Sequence, residues 1–290
     1  MKIYCAPTQQ KKPNMLSYQH GYHAGNFADV IKHTTLTRLL NYLIQKDKPL
    51  LYLETHAGRG IYDLKNSQAL KTAEAEQGIK LLWEARRELP TVFSSYMQSI
   101  RLLNDDNMLR YYPGSPCLAI QALRSQDRLF CCELHPGEFE HLQQLPRQNS
   151  RVFFSNSNGL EQLNALLPPA ERRGLIFIDP SYEIKTDYRQ VPLFLKNAYL
   201  RFATGVYCVW YPIIDNKLHE QLLRGLKNIG AERNLRIEFY LTTAKKPGMT
   251  GCGLWIINPP YLLSAEIKQV LDSLRKLFNP GVSSYLLEAC

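Results

Sequence analysis

The chain has 290 residues, 45% of them apolar and 21% charged, which allows one large domain or two small ones with a substantial core. No apolar run approaches the ~20 residues of a membrane span, and the opening MKIYCAPTQQKKPN lacks the continuous apolar stretch of a secretory signal. The formal net charge of +9 suits a polyanionic partner such as nucleic acid or an acidic membrane surface, with simple solubility as the alternative.

Residues 1–14 read as a flexible extension. A helix starts near Asn26 or Asp29, with Leu36, Leu39, Leu40 and Leu43 on one buried face. The first strand, Leu50–Glu54, opens into THAGRG, residues 55–60. Residues 64–110 are rich in Ala, Glu, Leu, Gln and Arg, with Ile79, Leu82 and Trp83 at helical spacing; they read as an insertion of about three helices. YYPGSP ends it with turn signals. Four more apolar strands follow: Arg128–Glu133, Arg151–Phe154, LIFIDP (175–180) and Gly205–Tyr211. Strands apolar throughout imply burial on both faces, hence a parallel sheet covered by helices.

A helix on Leu218, Leu222, Leu223 and Leu226 leads to a sixth strand, where Leu235, Ile237, Phe239 and Leu241 alternate with Arg236, Glu238 and Tyr240. That alternation predicts a sheet edge with one wetter face. The short link TTAKKPGMTG then requires an antiparallel hairpin with the seventh strand, LWII (254–257). A last helix carries Ile267, Val270, Leu271, Leu274 and Phe278. The expected fold is α/β and Rossmann-like: a seven-stranded, mostly parallel sheet with an antiparallel last hairpin, spanning 15–63 and 111–290, plus the small helical insertion. This topology resembles that of class I S-adenosylmethionine-dependent methyltransferases, although topology alone does not give function.

The seven cysteines form no C-x-x-C pair and read as small buried residues in a reducing cytosol, without zinc spacing. His20 and His23 make an H-x-x-H with no Cys or carboxylate close by in sequence. The candidate chemistry lies instead at strand ends, where doubly wound sheets bind ligands. THAGRG lets a ligand approach the backbone; it has Asp63 where a dinucleotide fingerprint needs a third Gly, which argues against NAD. His56 in this loop is either a ligand contact or a hydrogen-bonded loop residue. Glu133 either accepts ribose hydroxyls or is a solvated strand-end charge. Asn158-Gly159 either turns an amide to an adenine or forms a simple turn.

Two segments compete for the reaction centre: Asp179-Pro180-Ser181-Tyr182 and Asn258-Pro259-Pro260-Tyr261. The first resembles the (Asp/Asn)-Pro-Pro-(Tyr/Phe) motif of amino-group methyltransferases. An exocyclic base amine is a poor nucleophile, because its lone pair is delocalised. Asp179 and the Pro180 carbonyl can accept its two N–H groups and stabilise the developing positive charge. Tyr182 is expected to stack on the base. Ser181 departs from the motif, whose second proline stiffens the loop. The second segment matches better literally but ends an antiparallel strand, so it should lie at the opposite end of the sheet as a strand terminator.

The stretches MLSYQHGYHAGNFADVIKHT (15–34), LYLETHAG, LRYYPGSP, ELHP, RRGLIFIDPSYE, RFATGVYCVWYP and GMTGCGLWIINPP closely resemble the RlmJ family of bacterial 23S rRNA (adenine-N6)-methyltransferases, over essentially residues 15–285. The resemblance implies S-adenosylmethionine as cofactor, a cytoplasmic monomer and 23S rRNA as partner, with no membrane. It implies cofactor contacts from His33, His56, Ser115, Glu133, Asn158, Gly159 and Asp179, with Asp179 catalytic. Tyr18, His20 and Lys32 match family positions on the substrate side; by themselves Tyr18 and His20 read as tail residues and Lys32 as the polar face of a helix. The family usually has Asp-Gly where this chain has Asn158-Gly159. A DNA adenine-N6 methyltransferase, a silent RNA-binding module and an NAD oxidoreductase are the competing readings.

Overall fold

In the computed structural model, Asn26 caps the first helix: its Oδ1 accepts the Asp29 N–H at 2.9 Å, and α1 runs Phe27–Leu43. Residues 19–105, 108–147, 149–214, 217–242 and 248–290 are described. The extension 1–14 and Tyr18 therefore lie outside the described residues. Every residue of α1 from Phe27 to Thr37 is buried, so this helix has no polar face there. The expectation that Lys32 faces water is corrected: the sheet packs on one side of α1, and the 64–110 segment shares its core on the other.

Five strands lie parallel, as their unbroken apolar character implies: β1 (Leu51–Glu54), β4 (Arg128–Cys132), β5 (Val152–Ser155), β6 (Gly174–Ile178) and β7 (Val206–Ile214). Between β1 and β4, the short strands β2 (Ile61–Asp63) and β3 (Tyr111–Pro113) pair antiparallel. They form a stem from which α2 (Ser67–Thr72), α3 (Ile79–Glu84) and α4 (Ser94–Arg101) emerge. Phe93, Tyr96 and Ile100 of this segment are fully buried in the core that α1 joins. The connecting helices are α5 (Ser115–Ala122), α6 (Pro136–Leu142), α7 (Gly159–Leu166), α8 (Asp187–Arg201) and α9 (Leu218–Lys227). One sheet face is covered by α1, α5 and the last helix, α10 (Leu263–Leu277); the other is covered by α7, α8 and α9.

The sheet order departs from expectation at one edge. Among the described residues it has eight strands, β10-β8-β9-β7-β6-β1-β4-β5. The hairpin of β8 (Asn234–Tyr240) and β9 (Met249–Ile257) is antiparallel, but β10 (Ser284–Ala289) adds outside β8. Four of its six residues are half-exposed and the last two exposed, so no clean alternation marks this strand, which pairs on one side only. So β8 is not an edge; its wetter face is borne out at Arg236 and Tyr240, which stay half-exposed, but not at Glu238. Glu238 is fully buried, accepting from Arg236 Nη2 at 2.9 Å and the Tyr211 hydroxyl at 2.8 Å. A carboxylate is tolerated there because these donors replace water.

The register settles which proline motif faces the switch point. Ile178, just before Asp179, pairs with Val209 of β7, whereas Ile257, just before Asn258, pairs with Tyr207 near the start of β7. The two motifs leave the sheet at opposite ends. Asn258 instead fastens a turn: its Nδ2 donates to the carbonyls of Ala203 (2.7 Å) and Gly205 (2.8 Å). Tyr261 is 91% exposed.

Candidate active site

At the carboxyl ends of the parallel strands lies a cleft of about 740 Å³, within the range of small-molecule sites. His20, Lys32, His33, His56, Ser115, Glu133, Asn158, Gly159, Asp179 and Pro180 all border it. The sequence scatters them over 160 residues; the strand ends bring them together because β1 is central and the chain reverses its winding beside it.

The glycine loop leaves β1 with Gly58 at φ +63°, a conformation that favours glycine. Its N–H donates to Glu133 Oε2 at 2.7 Å, while the His135 N–H donates to Oε1 at 2.7 Å. Burial pushes the Glu133 carboxyl up, and these two N–H groups oppose it. Two backbone donors leave an ionised carboxylate with further acceptor capacity. Arg59 locks the loop to α6 through a two-point pair with Glu138, 2.9 Å and 2.5 Å. Asn158 caps α7: its Oδ1 accepts the Leu160 N–H at 3.1 Å, and its Nδ2 donates to Glu161 at 3.0 Å. It is therefore more than a simple turn: the amide starts the helix while Asn158 borders the cleft.

Two histidines face the cleft uncharged. Burial pushes His33 down to about 3 and His56 down to about 4. His33 Nδ1 meets the Tyr112 hydroxyl at 2.7 Å and His56 Nδ1 meets Thr55 Oγ1 at 2.7 Å. His20 and His23 are not arranged as a pair: His20 Nε2 meets Asp29 at 2.8 Å and His23 Nδ1 meets Glu74 at 2.9 Å. Among the described residues, no three His, Cys, Asp or Glu side chains gather as a metal site.

Asp179 is held from α1. Lys32 Nζ donates to its Oδ2 at 2.6 Å and also lies 2.9 Å from Asp29 Oδ1. Burial disfavours the ammonium, but the two carboxylates outweigh it and push its pKa up. Lys32 is 4% exposed and already paired, so it supports Asp179 and does not reach for a phosphate. The stacking role expected of Tyr182 is also corrected. At φ +56° the backbone turns the ring inward; it is 5% exposed, donates its hydroxyl proton to the Trp210 carbonyl at 2.8 Å and packs 4.5 Å from the Tyr188 ring. Trp210 borders the cleft instead, with Lys32 Nζ 5.4 Å from its ring centre.

Sequence reasoning missed Asp29, Glu54 and Trp210. For Asp29 the available signal was its i,i+3 spacing from Lys32. For Trp210 it was a position near the carboxyl end of a parallel strand. Glu54 lies fully buried behind Ser115, whose Oγ donates to it, and accepts the Tyr52 hydroxyl at 3.0 Å. Burial pushes its carboxyl up to about 8, against those two hydrogen bonds. From its ordinary value of 4.5 up to about 8, the native state then binds a proton that the unfolded chain releases, so this group costs stability as pH rises through that window. Glu54→Gln removes the titration. Its melting temperature relative to wild type is expected to climb between pH 5 and pH 8, and a constant offset would contradict the buried proton.

A parallel sheet with an antiparallel last hairpin, and a cleft joining the glycine loop to an Asp-Pro strand end, define a Rossmann-like methyltransferase. A family model described as ribosomal RNA large subunit methyltransferase D, RlmJ, matches residues 47–288. The chain is 42% identical to ribosomal RNA large subunit methyltransferase J of Escherichia coli (strain K12), over 92% of this chain and 95% of that protein. It is 41% identical to the Haemophilus influenzae protein of the same name, over 94% of this chain and 98% of that one. A crystal structure of a Legionella pneumophila str. Philadelphia 1 protein, 55% identical, superposes with a TM-score of 0.88 over 92% of this chain and 98% of the other. The chain belongs to the RlmJ family of ribosomal RNA large subunit methyltransferases.

Proposed function

We propose that this protein transfers a methyl group from S-adenosylmethionine to N6 of an adenosine in 23S rRNA. The observation that carries the reading is the placement of Asp179-Pro180 at the end of β6, in one cleft with the glycine loop, Glu133 and Asn158-Gly159. The residues fit the cofactor: Glu133 has acceptor capacity for ribose hydroxyls at a strand end, and His33 and His56 stay neutral. Ser115 completes that wall from the first turn of α5. S-adenosylmethionine, when bound, supplies the electrophilic methyl group.

The chain's own residues prepare the amine. Lys32 engages Oδ2 of Asp179, which leaves Oδ1 to accept one N6–H; the Pro180 carbonyl accepts the other. Held so, the nitrogen lone pair localises and points where the methyl carbon must arrive. His20 and Trp210 border the side from which a displaced base enters, and Trp210 offers it an aromatic wall. No described helix is long and apolar enough to cross a membrane.

Incubation with tritiated cofactor and protein-free 23S rRNA, followed by nucleoside analysis, tests this. N6-methyladenosine in the rRNA is the expected product. Label found elsewhere, or only in duplex DNA, would refute the substrate. Binding to the rRNA should weaken steeply with salt, as phosphate contacts require; a flat response would count against the net charge serving RNA.

A further inference from the structure

Asp29 has no role in the reading above, yet it is among the most constrained acids in the molecule. It is 1% exposed on the first turn of α1. Its Oδ1 lies 2.9 Å from Lys32 Nζ; its Oδ2 lies 2.8 Å from His20 Nε2 and accepts the Gly25 N–H at 2.9 Å. Burial raises the carboxyl, but His20 and Lys32 outweigh it and hold it well below the usual range. Asp179, Lys32, Asp29 and His20 form a chain of contacts in that order, with both of its ends at the cleft.

The charges explain why two acids share one lysine. Facing Asp179 alone, the Lys32 ammonium would form a neutral pair with it, and little field would remain for the substrate. With Asp29 on the ammonium's other side, the three groups sum to one negative charge, counting the His20 ring on Asp29 as neutral. That charge is what the proposed reaction calls for, because an amine that accepts a methyl group becomes positive. In a buried site such fields are weakly screened.

We propose that Asp29 is a positioning residue for methyl transfer: it cancels the Lys32 ammonium, so that Lys32 fixes Asp179 in place without neutralising it. The inference rests on the role given to Asp179 above. A purely structural alternative is that Asp29 only ties the Gly25 N–H at the start of α1. Asn at this position keeps the shape and an acceptor for Gly25 but loses the charge.

The test measures single-turnover methyl transfer to 23S rRNA for wild type, Asp29→Asn, Lys32→Met and the double variant, with cofactor affinity read by calorimetry. Asp29→Asn should bind cofactor normally and react about 10- to 100-fold more slowly, at or below the loss for removing a direct electrostatic contact. The double variant should be faster than Asp29→Asn, because Asp179 is again the net negative charge. A wild-type rate in Asp29→Asn, or a double variant no faster than it, overturns the proposal. If Asp29→Asn fails to bind cofactor, the comparison passes to Lys32→Met: removing Asp29 from that background should not slow it, and a further loss overturns the proposal. Wild type that leaves no N6-methyladenosine removes the underlying reading and the inference with it, whereas the variant rates alone sink only the inference.

Discussion

Asp179→Ala should reduce methyl transfer about 10²- to 10⁴-fold, the range lost when a group that stabilises charge or handles a proton at the reacting atom is removed. The structure makes the loss specific. Asp179 stands at the end of β6 in the cleft, and its deletion leaves the Lys32 ammonium beside Asp29 alone, as a neutral pair facing the amine. The comparison that gives the result meaning is Asn258→Ala. Asn258 lies at the other end of the sheet and ties two carbonyls at φ +55°. Its loss should cost about 1–2 kcal/mol of stability, from those hydrogen bonds and the left-handed backbone, and leave the rate intact. Transfer assays and thermal melts on both variants decide the matter. A rate lost in Asn258→Ala and kept in Asp179→Ala would mean the wrong Pro-containing strand end has been assigned.

Gly159→Ala should be nearly as damaging, through the backbone. A Cβ there would sit 2.1 Å from the Thr55 carbonyl oxygen and 2.4 Å from Thr55 Cα. Neither atom belongs to a side chain that could swing aside, so α7 and the loop after β1 must separate. Overpacking of this kind costs about 1–3 kcal/mol. The separation falls where His56, Asn158 and Gly159 line the cleft, so cofactor affinity should drop by more than the stability loss suggests. Calorimetric titration with S-adenosylmethionine reads it; unchanged affinity would show that the contact relaxes without moving the wall. Gly159 earns its place by close approach of two chain segments, which a turn-forming Asn-Gly pair does not reveal.

Much of this is legible in the sequence. Unbroken apolar runs identified the five parallel strands, and a link too short for a crossover identified the hairpin. The rejection of Asn258-Pro259-Pro260-Tyr261 needed only strand direction, which the observed register bears out. The connecting helices α5, α7 and α8 were harder to see, because Pro, Gly and polar residues mark their starts as turns. Strand β10 is hard to see because Tyr285 and Leu287 pack only partly against the core and the apolar Leu286 between them blurs the alternation.

Within the candidate site, residue types at strand ends pointed to residues that share one cleft, but side-chain direction did not follow from them. Tyr182 belongs to a motif in which an aromatic ring can stack on a base, and a single left-handed φ turns its ring into the core. Lys32 looks solvated in a helix of mixed composition until the ends of the parallel strands bring Asp179 and Trp210 against it. By itself, then, the sequence determined the α/β class, the five parallel strands and the end of the sheet at which each Pro-containing segment leaves it, because hydrophobic pattern and strand direction are local properties. Only the tertiary structure decided that Lys32, Asp29 and Asp179 share one buried charge system, that Glu54 is buried behind Ser115 with its carboxyl pushed up, and that Trp210 rather than Tyr182 faces the cleft. Those facts depend on which surfaces the rest of the chain covers, and burial sets the cost and direction of every charge involved.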